Sequence, residues 1–237
     1  MSLRTLLHGV VDAVKTRRKA FLTNHLRVHY SQFGEDIALR EIFGRRRTGF
    51  YVDVGCYHPR KLSNTHGLHR RGWHGINVDM EAAKIRLFEL ARPRDFNVVA
   101  AVSDVPGTVK MYRSRAFGLE TTIDEAAARR AFGSRPDGAD CETVEVPART
   151  LAEIVAASPF HAEKIDLVSI DAEGHDFAVL RSLDLDVRQP DVIIVEESDR
   201  DIDAILRGEM YAYLHGRDYR LHAWYAPSLI FRRSSPG

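Results

Sequence analysis

Residues Gly49-Phe50-Tyr51-Val52-Asp53-Val54-Gly55-Cys56-Tyr57-His58-Pro59 form a short apolar run that ends in an acid and a glycine. Such a run reads as a buried strand of a parallel sheet, with Gly55 letting the following turn come close to a bound molecule. A second strand, Gly75-Ile76-Asn77-Val78-Asp79, also finishes in a carboxylate. In open α/β sheets ligands lie beyond the carboxyl ends of the strands, so Asp53, Gly55 and Asp79 are expected to converge on one small molecule. The spacing suits a nucleoside, with Asp79 accepting from ribose hydroxyls.

A dinucleotide site would need several glycines so that backbone amides can crowd a pyrophosphate. This chain offers Gly55 alone, and it places Asp53 two residues earlier, where a carboxylate suits a cationic ligand better than a phosphate. S-adenosylmethionine, with an ammonium, a sulfonium and no phosphate, meets that description. A nicotinamide-dependent oxidoreductase and a non-catalytic binding or scaffold protein are the rival readings, and the missing glycines weigh against the first.

At 237 residues the chain is long enough for one α/β domain with a sizeable core. Its formal net charge of +1 gives no global reason to expect nucleic acid as a partner. The two cysteines, Cys56 and Cys141, have neither metal-ligand spacing nor a framework pattern, which fits a reducing, cytoplasmic location. Cys56 is expected to be a small buried thiol. No apolar run reaches membrane-spanning length, and no signal peptide is evident.

Residues 1–30 are read as a basic amphipathic helical arm, and 31–237 as the main domain. In the arm Leu3, Leu6, Leu7, Val10, Val11 and Val14 follow helical spacing, and Lys15, Arg17, Arg18 and Lys19 come next. Three partners suit such a segment: its own domain, a second subunit in a homodimer, or the inner face of an anionic membrane.

Beyond the arm, strand and helix signals alternate as in a doubly wound sheet. A helix is expected over 82–91, a strand over 97–102, further strands over 107–112 and 142–146, and a helical insert over 123–132. Residues 113–140, rich in glycine and arginine, are the candidate substrate loop. Ser103 and Asp104, just past the 97–102 strand, are placed to meet an adenine.

A second concentration of chemistry is Ile165-Asp166-Leu167-Val168-Ser169-Ile170-Asp171-Ala172-Glu173-Gly174-His175-Asp176, followed by the strand ending in Glu196-Glu197. Asp171 is expected at the carboxyl end of the strand beside that of Asp53. Two chemistries fit these groups. His175, Asp171 or Glu196 can take the proton of an alcohol, or Asp171, Glu173 and Glu196 can hold a hard divalent ion such as magnesium that acidifies it. Near the C-terminus, strand signals over 219–225 and 228–232 are too close for a parallel crossover and are expected to form an antiparallel hairpin. A mostly parallel sheet ending in such a hairpin is similar to the Rossmann-like class I methyltransferase fold.

From about Tyr30 to Glu197 the chain also resembles the FkbM-type S-adenosylmethionine-dependent methyltransferases. The resemblance rests on Ser31-Gln32-Phe33-Gly34-Glu35-Asp36, the Gly49–Gly55 strand, Ser63-Asn64-Thr65, Gly72–Asp79, Ala101-Val102-Ser103-Asp104 and Ser169–His175, in that order. It implies methyl transfer to a hydroxyl oxygen of a sugar or polyketide-like acceptor. It also implies that Gln32, Glu35 and Asn64 lie near the cofactor or acceptor. Cys56 stands where the family commonly has alanine, and Asp79-Met80 where it commonly has Glu-Pro, which shortens the expected ribose contact by one methylene.

Overall fold

The computed structural model describes residues 3–21, 28–113, 121–123, 125, 128 and 142–234. The 113–140 loop, the 123–132 helix and Cys141 therefore lie wholly or mostly outside the described residues.

The main sheet has seven strands. In chain order these are β1 (Phe50–Val54), β2 (His74–Asp79), β3 (Phe96–Val99), β8 (Leu167–Ile170), β9 (Val192–Glu196), β10 (Tyr219–Tyr225) and β11 (Ser228–Arg233). They lie side by side as β10-β11-β9-β8-β1-β2-β3. The β3, β2, β1, β8 and β9 pairings are all parallel, and β11 runs antiparallel between β9 and β10. This is the Rossmann-like class I methyltransferase arrangement: a parallel sheet closed by a reversed strand.

The central position of β1 explains its composition. All five of its residues are buried, because a parallel strand covered on both faces has no solvent side on which to place polar groups. Phe50, Val52 and Val54 pack with Ile76, Val78, Val168, Ile170, Ile193 and Val195 in one cluster, whereas Tyr51 points to the other face with Leu39, Leu68 and Trp73. Fully burying each of these large side chains contributes about 1.5–3 kcal/mol. The strand order reverses between β1 and β8, so the crevice for a ligand opens above their carboxyl ends.

Helices α2 (Glu35–Phe43), α3 (His66–His69), α4 (Ala82–Ala91), α5 (Leu151–Ala157), α6 (Asp176–Arg181), α7 (Ile202–Arg207) and α8 (Glu209–His215) join these strands. The start of α5 is a reciprocal cap. The Thr150 hydroxyl accepts from the Glu153 N–H, and the Glu153 carboxylate accepts from the Thr150 N–H, which makes the Thr-x-x-Glu spacing a helix start. N-terminal to all of these, α1 (Leu3–Phe21) is a 19-residue helix.

The segment expected as one strand over 97–102 is two. β3 ends at Val99, and β4 (Ala101–Val102) belongs to a second sheet with β7 (Glu142–Arg149), β5 (Gly107–Arg113) and β6 (Thr121–Thr122), in the order β4-β7-β5-β6. The change of sheet falls at Ala100, whose N–H still donates to the Asp79 carbonyl at 3.1 Å before the chain turns to pair with β7. An apolar run says that a segment is buried but does not say which sheet buries it. The switch carries β4 and β6 over the end of β2, where they wall one side of the crevice.

Candidate functional site

The crevice is a cleft of about 1020 Å3 of atom-free space, open to solvent. Gly55, Tyr57, Val78, Asp79, Met80 and Lys84 line it from β1, β2 and the start of α4. Ala100, Ala101, Val102, Thr121 and Ile123 line it from the second sheet. Asp171, Ala172, Glu173 and His175 close it from the turn after β8, and Gln32 and Leu62 from the loops above.

Of the eleven residues singled out in the sequence for cofactor and catalysis, with Glu173 added as a metal ligand, the cleft brings together Gln32, Gly55, Asp79, Asp171, Glu173 and His175. The others are engaged elsewhere. Asp53 is buried beneath the floor and accepts from the Thr65 hydroxyl at 2.6 Å. Asn64 donates to the Ser169 hydroxyl at 3.1 Å. The Glu35 carboxylate accepts from the Phe33 N–H and from the Ser228 hydroxyl. The Ser103 hydroxyl accepts from the Val105 N–H, and Asp104 makes an exposed ion pair with Arg181 at 2.8 Å. Glu196, at the end of β9, is half-buried beside the acids of the β8 turn.

Gly55 has a reason that the sequence did not reveal. Its φ is +70°, and a Cβ built on it would stand 1.8 Å from the Asp171 carbonyl oxygen. The missing side chain lets the ends of β1 and β8 close on each other, with the Asp171 N–H donating to the Val54 carbonyl at 3.0 Å. Any other residue would part the two strands that frame the cleft.

Asp79 is a buried carboxylate with donors on both oxygens. The Glu81 N–H donates to Oδ1 at 2.8 Å and the Tyr57 N–H to Oδ2 at 3.2 Å, while Lys84 Nζ stands 3.9 Å from Oδ2. Burial raises its pKa, and Lys84 and the two N–H groups pull it back. A carboxylate offers about four acceptor sites, so two remain for a ligand.

Beneath the floor lies a network that the sequence concealed. Arg92, only 1% exposed, sits at the end of α4, a position that the sequence did not single out. Its guanidinium donates to the hydroxyls of Tyr51, Thr65 and Ser63, to Asn77 Oδ1, and to the Pro59 carbonyl. Tyr51 and Asn77 in turn donate to Asp95. Arg92 therefore ties the 59–65 loop to the sheet between Asp53 and Asp95. Burial raises the Asp53 pKa to about 6, against the pull of Thr65 and Arg92.

The other side of the cleft has acids with few cations. Burial pushes the Asp171 pKa well up, and Glu196, Glu173 and Asp176 push it further. Burial, Asp176 and Glu173 raise Glu196 to about 7. Asp176 is structural: its carboxylate accepts from the N–H groups of Ala172, Gly174 and Glu196. It thereby fixes a turn in which Glu173 adopts φ +50° and Gly174 φ +93°. A non-glycine residue held there costs about 1 kcal/mol or more, which the surrounding bonds must offset.

The expectation of a divalent ion on Asp171, Glu173 and Glu196 finds no support. Among the described residues no group of three or more His, Cys, Asp or Glu side chains is arranged to hold a metal ion. Instead, burial and repulsion from neighbouring acids raise the proton affinity of Asp171 and Glu196. Cys56 is buried against Ile85 and Phe88, with its thiol pKa pushed well up by burial, and is unsuited to nucleophilic chemistry.

Two lining residues gave no sequence signal. Lys84 is 4% exposed, although a lysine in the first turn of a helix ordinarily reads as solvated. Thr121 is buried, and its hydroxyl has no hydrogen-bond partner, whereas the cleft wall around it is Met80, Ala101, Val102 and Ile123. A buried unpaired hydroxyl facing a cavity is a group waiting for a ligand.

A search of curated proteins gives no significant match. Among solved structures, a TehB-like SAM-dependent methyltransferase from Corynebacterium glutamicum ATCC 13032 aligns over 96% of this chain and 99% of its own, with a TM-score of 0.42 and 11% identity. The profile described as the methyltransferase FkbM domain matches residues 53–221. That span begins at the end of β1 with Asp53 and Gly55 and holds β2 with Asp79, the acid-bearing turn after β8 and the start of β10. With well over half of its length matched, the chain belongs to the FkbM methyltransferase domain family.

Proposed function

We propose that the chain is an S-adenosylmethionine-dependent O-methyltransferase that methylates a hydroxyl of a small-molecule or glycan acceptor. The observation that carries this reading is a single cleft with a buried ribose-type carboxylate, Asp79, on one wall and Asp171, with Glu196 behind it, on the other.

The residues suit the cofactor. Asp79 has two acceptor sites to spare for ribose hydroxyls. Met80, Ala101, Val102 and Ile123 offer an apolar wall for a flat base, and the unpaired Thr121 hydroxyl can meet its polar edge. Asp104, held by Arg181, leaves that task to Thr121. When bound, S-adenosylmethionine supplies a methyl group on a positively charged sulfur.

The chain's own groups do the rest. Gln32, Leu62, Glu173 and His175 border the mouth and are placed to orient an acceptor in line with the methyl carbon, which supplies much of the acceleration. The acceptor hydroxyl would give its single proton to whichever of Asp171 and Glu196 is ionised, as its oxygen takes the methyl carbon and the sulfur–methyl bond breaks to leave S-adenosylhomocysteine. A base with a pKa near 7 is well matched to neutral pH, where it is half ionised and still holds a proton firmly. The Arg92 network keeps the loop over the cleft in place. Two cysteines without a disulfide or metal pattern fit a reducing, cytoplasmic setting.

The test is to incubate the chain with methyl-labelled S-adenosylmethionine and a panel of hydroxylated sugars and polyketide-like alcohols. Labelled ether product with equimolar S-adenosylhomocysteine is expected. Label on nitrogen or carbon would contradict the oxygen specificity, and cofactor binding without turnover across the panel would favour a non-catalytic role.

A further inference from the structure

Helix α1 takes no part in the cleft, and its chemistry differs from that of the remaining chain. It carries five basic residues, Arg4, Lys15, Arg17, Arg18 and Lys19, against one acid, Asp12. Its net charge is thus +4 in a chain whose formal net charge is +1, which leaves −3 on everything else. A near-neutral total hides a strongly basic helix attached to an acidic body.

The helix is also amphipathic, and its described side chains are solvent-exposed. At 100° per residue Val10, Val14 and Val11 fall within one arc of the helix surface. Arg17 and Lys15 flank this arc, and Arg18 falls within it between Val14 and Val11. Residues 8–20 are all exposed, with Val10 at 57%, Val11 at 45% and Val14 at 60%.

We propose that α1 docks this protein on an anionic lipid surface, lying in the plane of the interface. The valine side chains would enter the acyl boundary, while the long lysine and arginine side chains beside them extend to lipid phosphates. The helix lies on the bilayer and does not cross it, since no described helix is long and apolar enough to span one. A second copy of the chain is a poorer occupant. Two such helices packed arc to arc would gather ten basic residues with only two acids to offset them. The net-negative body adds to the preference for one orientation, because repulsion from the lipid keeps it away while α1 is held. This inference is independent of the methyl-transfer reading.

Flotation of the full chain with phosphatidylcholine vesicles, with and without about a third phosphatidylserine, tests it. Retention on the anionic vesicles at low salt is expected, at least about tenfold above that on neutral ones, and 0.5 M salt should weaken it. Val10→Asp with Val14→Asp, and separately Lys15→Glu with Arg18→Glu, should each abolish it without changing the melting temperature, because these side chains are exposed. No retention on anionic vesicles at low salt would overturn the proposal. Retention that survives Val10→Asp with Val14→Asp would also overturn it, as would a dimer in sedimentation that those substitutions dissolve while vesicles hold nothing.

Discussion

Two groups of buried acids flank β1, and they differ in what surrounds them. On one side Asp53 and Asp95 face Arg92, Thr65, Tyr51 and Asn77, donors that hold the carboxylates in fixed bonds. On the other, Asp171 and Glu196 face Glu173 and Asp176, so each acid raises its neighbour's affinity for a proton. Burial raises the pKa of Asp53 on the first side and of Asp171 and Glu196 on the second. What separates them is the sign of the neighbours: cations and hydroxyls make a joint in the fold, and further acids make a group able to take up a proton.

Removing the cation should break the contrast most strongly. Arg92→Leu would leave Asp53 and Asp95 buried without compensation and release the 59–65 loop, costing about 3–5 kcal/mol. A urea titration of the variant should show that loss, and an unchanged midpoint would refute the role given to Arg92.

On the acid side, Asp171→Asn should lower kcat by about 100-fold or more, the range of a lost general base. The fold should stand, because the substitution relieves repulsion. A variant that loses stability and keeps its turnover would reverse the assignment of the two sides. On the cofactor wall, Asp79→Asn exchanges acceptor sites for donors beneath a ribose and should weaken S-adenosylhomocysteine binding by about 10- to 100-fold.

The acid side also predicts opposite pH trends for activity and stability. Glu196 has its pKa raised from 4.5 in the unfolded chain to about 7 in the folded one. Its contribution to stability is therefore complete below about pH 4.5 and is lost as the pH rises through about 7. Activity should rise over the same interval as Glu196 ionises. Glu196→Gln should flatten both curves, and an unaltered rate profile would remove Glu196 from the proton path.

The smallest effect is expected at Thr121. Thr121→Val should weaken S-adenosylhomocysteine binding by about fivefold, one neutral hydrogen bond, while raising the melting temperature of the ligand-free protein by relieving an unpaired hydroxyl. Equal affinity in the variant would show that the hydroxyl meets no ligand.

Much of the site could be read in the sequence because its frame is local. An apolar run ending in an acid or glycine reports a strand and its carboxyl end, so Asp53, Gly55, Asp79 and Asp171 were placed at the right edge of the sheet, as was the C-terminal hairpin. What each acid faces is set by residues far away in the chain. Asp53 meets Thr65 and Arg92, Glu35 meets Ser228, and Asp104 meets Arg181. None of these partners leaves a periodic trace, so Asp53 read as a ligand contact and Arg92 went unremarked. The division of 97–102 between two sheets was hidden for the same reason. Helices α7 and α8, six and seven residues long, are too short for a helical period to stand out.

The most direct measurement is calorimetric titration of the purified chain with S-adenosylmethionine, with Asp79→Asn as control. The account predicts stoichiometric binding that weakens by about 10-fold or more in the variant. No binding to the unaltered chain, or equal binding to both proteins, would contradict it.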